Sequence, residues 1–193
     1  MQRRRLLMLL AACGLPAGRL AFAAPFADAG LFQRLQSGGH VLLVRHAATA
    51  PGIGDPPGFV LAQCATQRNL SADGRRDAQA LGAAIRAHGV PVGRVWSSRW
   101  CRCLDTARLA FGQVAPSPLL DSLFQQDAAE TQARTAALRT RLAALDPGAN
   151  TVLVTHDVNI RALAGVSVAP GEAVAIRAAA GRLDVLGSAW RPD

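Results

Sequence analysis

The sequence predicts an α/β protein, a three-layer α/β/α sandwich built on a mostly parallel central sheet. Three observations predict it. Val41-Leu42-Leu43-Val44 and Thr151-Val152-Leu153-Val154 are short, largely β-branched runs without polar alternation, the pattern of strands buried on both faces. Segments of helical period separate these runs. Each run, with Arg94-Val95-Trp96, ends in polar residues: Arg45-His46, Thr155-His156-Asp157 and Ser97-Ser98. Parallel sheets bind ligands just outside the carboxyl ends of their strands, so three strand ends deliver polar groups to one place.

The elements follow in order. Phe26, Leu31, Phe32 and Leu35 mark a short amphipathic helix over 26–37, stopped by Gly38-Gly39. After the first strand, 50–68 is rich in proline and glycine and lacks periodicity, a loop placed to shape a pocket. Ser71 is the expected N-cap of a helix running to about His88, with Gly89 as its left-handed stop. The strand 94–98 leads to a helix capped by Ser98, carrying Arg102 and ended by Gly112. Residues 113–127 read as a second loop and 128–145 as a helix stopped by Pro147-Gly148. The strand 150–155, a short helix over 158–164 and two terminal strands, 172–176 and 182–186, complete the chain.

At 193 residues the chain is expected to form one domain, 24–193, behind a removable segment. Arg3-Arg4-Arg5, an apolar run from Leu6 to Ala12 and Ala21-Phe22-Ala23 read as a signal peptide, 1–23. Leu10-Ala11-Ala12-Cys13 also fits a lipoprotein cleavage box, which would place a lipid anchor at Cys13. Either reading directs the protein to the periplasm. Losing 1–23 removes four arginines and no acid, taking the net charge of +8 to +4. That balance suits an anionic substrate. No basic run interleaved with aromatics occurs, so nucleic acid is not an expected partner. No apolar run is long enough for a membrane span in the mature chain, and the cysteines lack zinc-ligand spacing.

Four motifs recur in a fixed order: Arg45-His46-Ala47-x-Thr49, Asn69-Leu70-Ser71-x-x-Gly74, Ser97-Ser98-x-x-x-Arg102-x-x-x-Thr106-Ala107, and Thr155-His156. This set resembles the histidine phosphatase superfamily, with its phosphoglycerate-mutase-like fold. The nearest likeness is to small exported bacterial members, a group that includes lipopolysaccharide-core heptose phosphatases. The resemblance implies a phosphomonoester hydrolase acting through a phosphohistidine on His46. It implies phosphate binding by Arg45, Arg102 and Thr49, and a hydrogen bond from His156 to a phosphate oxygen. The substrate would be a small-molecule or glycan phosphomonoester, and the reaction needs no cofactor and no metal. The chemistry agrees: neutral imidazole is a competent nucleophile, and arginine forks meet phosphoryl charge.

The proton donor departs from the family pattern, which places a glutamate after the second arginine. Asp121, in Leu119-Leu120-Asp121, is the nearest match but is shorter. His156-Asp157 resembles the His-Asp motif of the acid-phosphatase branch, so Asp157 is the favoured donor and Asp121 the alternative. His40 and His88 are expected to be structural, Asn69 and Ser71 to fix the turn and cap, and Arg99 to be solvated. Glu172 is expected either to brace His156 or to lie at the surface. Cys64 is expected to pair with Cys101 or Cys103, tying the pocket loop to the arginine helix.

Overall fold

The computed structural model describes residues 29–145, 147–179 and 182–192. The expected signal segment, Phe26 and the turn between the last two strands lie outside these residues. The sheet is built around two parallel strands, β1 (Val41–Arg45) and β4 (Asn150–Thr155), paired from Val41 with Thr151 to Arg45 with Thr155. Parallel β2 (Val92–Ser97) and the two-residue β3 (Ala115–Pro116) extend it on one side. On the other, β5 (Ala173–Ala179) runs antiparallel to β1, and β6 (Arg182–Trp190) antiparallel to β5. The order is β3-β2-β4-β1-β5-β6.

Side chains alternate across this sheet because successive Cβ atoms point to opposite faces. Leu42, Val44, Val152 and Val154 pack beneath α1 (Ala29–Gln36), α2 (Ala72–Ala87) and α3 (Cys101–Phe111). Val41, Leu43 and Leu153 pack against α4 (Ala128–Ala143) and α5 (Asp157–Ala164). The runs 41–44 and 152–154 are therefore apolar at every position for a reason: each residue has a helix above or below it.

Two glycines set how closely the upper helices approach. A Cβ on Gly82 would lie 1.9 Å from the Ala110 carbonyl oxygen, so α2 and α3 touch backbone to backbone. A Cβ on Gly74 would lie 2.0 Å from the Ala48 carbonyl oxygen. The first turn of α2 thus seats directly on the turn that follows β1. Ser71 N donates to Ala48 O at 3.0 Å and Ala50 N to Asn69 O at 3.0 Å. Ser71 Oγ accepts from Gly74 N, as a cap should.

Several boundaries differ from the sequence reading. Helix α4 stops at Ala143, two residues short of the expected end. Strand β6 runs on to Trp190, whose ring is buried in the upper core opposite Ala173. The stretch 113–127 contains β3 and a single 3₁₀ turn, Pro118–Leu120. Ser98 does not cap α3; the N-cap is Trp100, without a side-chain bond. The Ser98 hydroxyl is drawn instead into the cluster at the strand ends.

Candidate active site

The turn that carries His46 is held from both sides by backbone. His46 N donates to Thr155 O at 2.9 Å and Gly171 N to His46 O at 3.1 Å. Ala47 N donates to Thr106 Oγ1 at 3.0 Å, and that hydroxyl donates to Arg102 O at 2.7 Å. Thr106 therefore fixes the distance between the end of β1 and the helix carrying Arg102. This gives the Thr106-Ala107 motif a physical reason.

The His46 ring has a defined polarity. Its Nδ1 lies 2.9 Å from Ala47 O. A carbonyl only accepts, so Nδ1 carries the proton and Nε2 carries the lone pair. Burial pulls the imidazole pKa down to about 3; the Ala47 bond opposes this, and the charges of Arg102, Arg45 and Arg68 deepen it. The ring is 6% exposed and neutral across the physiological range. His156 lies with its ring centroid 5.4 Å from that of His46, edge to face. Burial, then the like charges of His46 and the arginines, also keep His156 well below the ordinary histidine range.

Arg45 donates from Nη1 to Val168 O at 2.7 Å, and its buried Nε has no protein partner. Arg102 is 5% exposed; its Nη1 bonds Asp55 Oδ1 at 2.7 Å, and its Nε is likewise unpartnered. Arg68, which the sequence reading passed over, is the third cation acting on His46. Its Nη1 donates to Gly52 O at 2.7 Å and its Nε is also without a partner. Burial and the charge of Arg102 lower its own pKa. Three guanidinium groups with unused N–H donors around one neutral histidine form an anion cradle. Thr49 lies on the turn after β1, where its backbone bridges to Leu70.

Around His156 the structure corrects two expectations. Ser98 Oγ lies 2.9 Å from His156 Nε2, donates to Asp121 Oδ1 at 3.5 Å and accepts at 3.3 Å from the backbone N of Trp100, the α3 N-cap. Arg99 is not a freely solvated residue. Its Nε and backbone N donate to the two oxygens of Asp121 at 2.7 and 2.9 Å. That carboxylate sits deep, at 4% exposure. Asp121 is a buried, doubly held anion that orients Ser98 behind His156.

Asp157 opens α5 directly after His156. Its Oδ1 accepts from Val168 N at 2.9 Å and its Oδ2 from Arg161. Burial works to raise its pKa, but these bonds outweigh burial and hold the carboxyl below its ordinary range. Glu172 is buried, overturning its placement at the surface, and it does not brace His156. Its oxygens accept from Ala169 N, Ser188 Oγ and Arg191, at 2.8, 2.9 and 3.0 Å. It pins the 166–171 loop, which presents Val168 O to Arg45.

Cys64 pairs with Cys101, the residue before Arg102, leaving Cys103 as a buried thiol 3.6 Å from His156 Nε2. Burial pushes the Cys103 thiol up to about 12, so it stays protonated. Asp55 is the second site residue missed from sequence. It lies in the 50–68 loop, 47 positions from Arg102, and no local pattern links the two. A cleft of about 550 Å³ opens beside it, lined by residues 50–57 and 67–70. His40 bonds through its backbone to Asn150, and His88 stacks on Phe32 with centroids 4.2 Å apart. Both are structural. Among the described residues no group of three side chains is arranged to hold a metal.

Fold and site define a phosphoglycerate-mutase-like α/β protein with a histidine–arginine anion site at its strand ends. The family model for the histidine phosphatase superfamily (branch 1) matches residues 41–124. No curated protein matches the chain by sequence. Solved structures agree on the fold. An Escherichia coli protein provisionally assigned as an alpha-ribazole-5'-P phosphatase is 21% identical with a TM-score of 0.59, covering 81% of this chain and 100% of its own. Bacillus stearothermophilus YhfR is 15% identical with a TM-score of 0.61, covering 79% and 98%. A mutant phosphoserine phosphatase from Entamoeba histolytica, solved with phosphoserine, is 12% identical with a TM-score of 0.57, covering 78% and 96%. The chain is thus similar to the histidine phosphatase superfamily over residues 41–124 and shares the fold of these solved structures.

Proposed function

We propose that the protein is an exported phosphatase that hydrolyses phosphomonoesters through a phosphohistidine on His46. The observation that carries this reading is the His46 ring: Nδ1–H fixed on Ala47 O and a bare Nε2 lone pair, with Arg45, Arg68 and Arg102 acting on it. The Nε2 lone pair attacks phosphorus as the ester P–O bond breaks, and a carboxylic acid protonates the departing alkoxide. Positive charge on the phosphorylated ring is met by Ala47 O. Charge on the three phosphoryl oxygens is met by arginine N–H groups. Water then attacks phosphorus, giving up its proton to the carboxylate, as the P–N bond breaks and returns its electron pair to Nε2, and inorganic phosphate leaves.

We assign the proton donor to Asp157 rather than Asp121. Asp157 follows His156 and lies within reach of the Arg45 charge, whereas both Asp121 oxygens face Arg99 and Ser98. A donor with a depressed pKa is most effective at acidic pH, where His46 is still neutral. Support for the substrate class comes from the phosphoserine held by a fold neighbour. The likeness to heptose phosphatases extends it to envelope glycans. Export rests on the pattern of residues 1–23.

A second reading, a catalytically silent phosphate-binding protein, is favoured by one observation: both candidate donors are held by arginines. Trapping of radiolabelled phosphate on the protein during hydrolysis of nitrophenyl phosphate separates the two. Label on wild type and none on His46→Ala is the expected outcome. Phosphate binding without label or turnover supports the silent reading.

A further inference from the structure

We propose that Asp55 is the positioning residue of the phosphate site, the fixed internal anion that holds Arg102 and the cleft loop in register. The inference rests on the phosphatase reading and adds to it. Three donors converge on this one carboxylate, two from the start of α3 and one from the end of the 50–68 loop. Arg102 Nη1 reaches Oδ1 at 2.7 Å, the backbone N of Arg68 reaches the same oxygen at 2.9 Å, and Trp100 Nε1 reaches Oδ2 at 2.8 Å. Both partners of the ion pair have side chains only 6% exposed. Few surface ion pairs are built this way; a desolvated, multiply bonded one persists only where its geometry is well satisfied.

The electrostatic need is visible. Arg45, Arg68 and Arg102 all press on His46, and Arg68 and Arg102 repel each other. Without a carboxylate between them the two would splay apart. With Asp55 in place, three cations and one anion leave a net charge of two, which a dianionic phosphomonoester neutralises. The bond also spends Arg102 on one edge only, through Nη1, and leaves Nε unpartnered. Trp100, held by the same carboxylate, stands edge-on to His156 with centroids 5.5 Å apart. One side chain from the 50–68 loop thereby orients a phosphate arginine and a wall of the second histidine. The ionised state is secured by the same contacts: burial works to raise the carboxyl, and the bonds from Arg102, Arg68 N and Trp100 outweigh it.

The test is Asp55→Asn, which keeps the shape and removes the charge. Binding of inorganic phosphate is read by calorimetry, and kcat and KM are read with nitrophenyl phosphate and glycerol phosphate. A positioning role predicts phosphate binding weakened about tenfold or more, the scale for losing a charge-assisted bond. It predicts KM raised and kcat lowered by similar factors for both esters. Three results overturn it: tighter phosphate binding, which would make Asp55 a competitor for Arg102; a kcat loss confined to glycerol phosphate, which would make it the proton donor; or no change. Should Asp55→Asn fail to fold, Trp100→Phe removes one donor and keeps the ring. It should weaken phosphate binding in the same direction, and unchanged binding again overturns the role. Calorimetry needs no turnover. A wild-type protein that binds phosphate without hydrolysing either ester therefore sinks the phosphatase reading and leaves this inference standing or falling on its own.

Discussion

At the scale of single residues, the proposed site separates groups that would meet phosphate from groups that hold them. Arg102 and Arg108 share a helix, but Arg102 is buried on Asp55 while the Arg108 side chain is 56% exposed. Arg102→Ala should cost on the order of 10²-fold in kcat/KM, the scale for removing a preorganised donor, and Arg108→Ala little. Equal small losses in both would mean that the anion site is misassigned. Arg99 is no neutral control, because removing it strands the Asp121 charge in the interior. The donor is tested by leaving group. A sugar or glycerol alkoxide needs a proton and nitrophenolate scarcely does. Asp157→Asn should therefore depress glycerol phosphate hydrolysis far more than nitrophenyl phosphate hydrolysis. The same contrast appearing in Asp121→Asn and not in Asp157→Asn would reverse the assignment.

At the scale of elements, the 50–68 loop has no regular secondary structure beyond the single 3₁₀ turn Cys64–Thr66, yet it is fastened at several points. Asp55 ties it to Arg102, and Gln67 Oε1 accepts from Cys101 N at 2.9 Å. The Cys64–Cys101 disulfide closes a span of 37 positions. A crosslink of that span stabilises by about 2–4 kcal/mol, chiefly by restricting the unfolded chain. Cys64→Ser with Cys101→Ser should lower the thermal midpoint and raise KM, because the first turn of the arginine helix loses its tether. An unchanged KM in a destabilised variant would show that Asp55 and Gln67 suffice to hold the loop. In the sequence, Cys64 had two equally placed partners. The helix decides between them, because Cys103, two residues on, lies on the opposite side of the helix from Cys101, facing Thr155 and His156 in the core.

At the scale of the whole molecule, the buried neutral histidines predict a fold that loses stability in acid. His46 binds a proton only near pH 3 when folded and near 6.5 when unfolded, and His156 is shifted the same way. Below 6.5 the unfolded chain therefore binds more protons, and stability falls as pH falls. The depressed carboxyls of Asp55, Asp157 and Glu172 add the same sign at lower pH: their stabilisation is present above the ordinary carboxylate range and is lost as pH drops through their folded values. Denaturant midpoints measured from pH 7 to 4 should decline steadily, and His156→Gln should flatten the decline between pH 6.5 and 5. A midpoint independent of pH in that interval would contradict the burial of neutral histidines.

The sequence by itself determined the two central strands, the helices between them and the residues delivered by the strand ends. These are local facts: a run apolar at every position must be covered on both faces, and a polar group ending it must emerge at the carboxyl end of the strand. Arg45, His46 and His156 were legible for that reason, Arg102 through its spacing after Ser97-Ser98, and Ser71 and Gly74 because a helix start has its own residue chemistry. Only the tertiary structure decided what each carboxylate does. Asp55, Asp121, Asp157 and Glu172 are alike in sequence, each a lone acid in a loop or at an element's end. Each acquires its role from a partner distant in the chain or from a loop whose course no pattern predicts: Arg102 for Asp55, Arg99 for Asp121, Val168 for Asp157, Arg191 for Glu172. The same holds for Arg68, which reads as one of many arginines until the β1 turn and the start of α2 fold against each other and set its charge beside His46. Hydrophobic period is written along the chain, whereas the pairing of charges is fixed by which loops the sheet brings together.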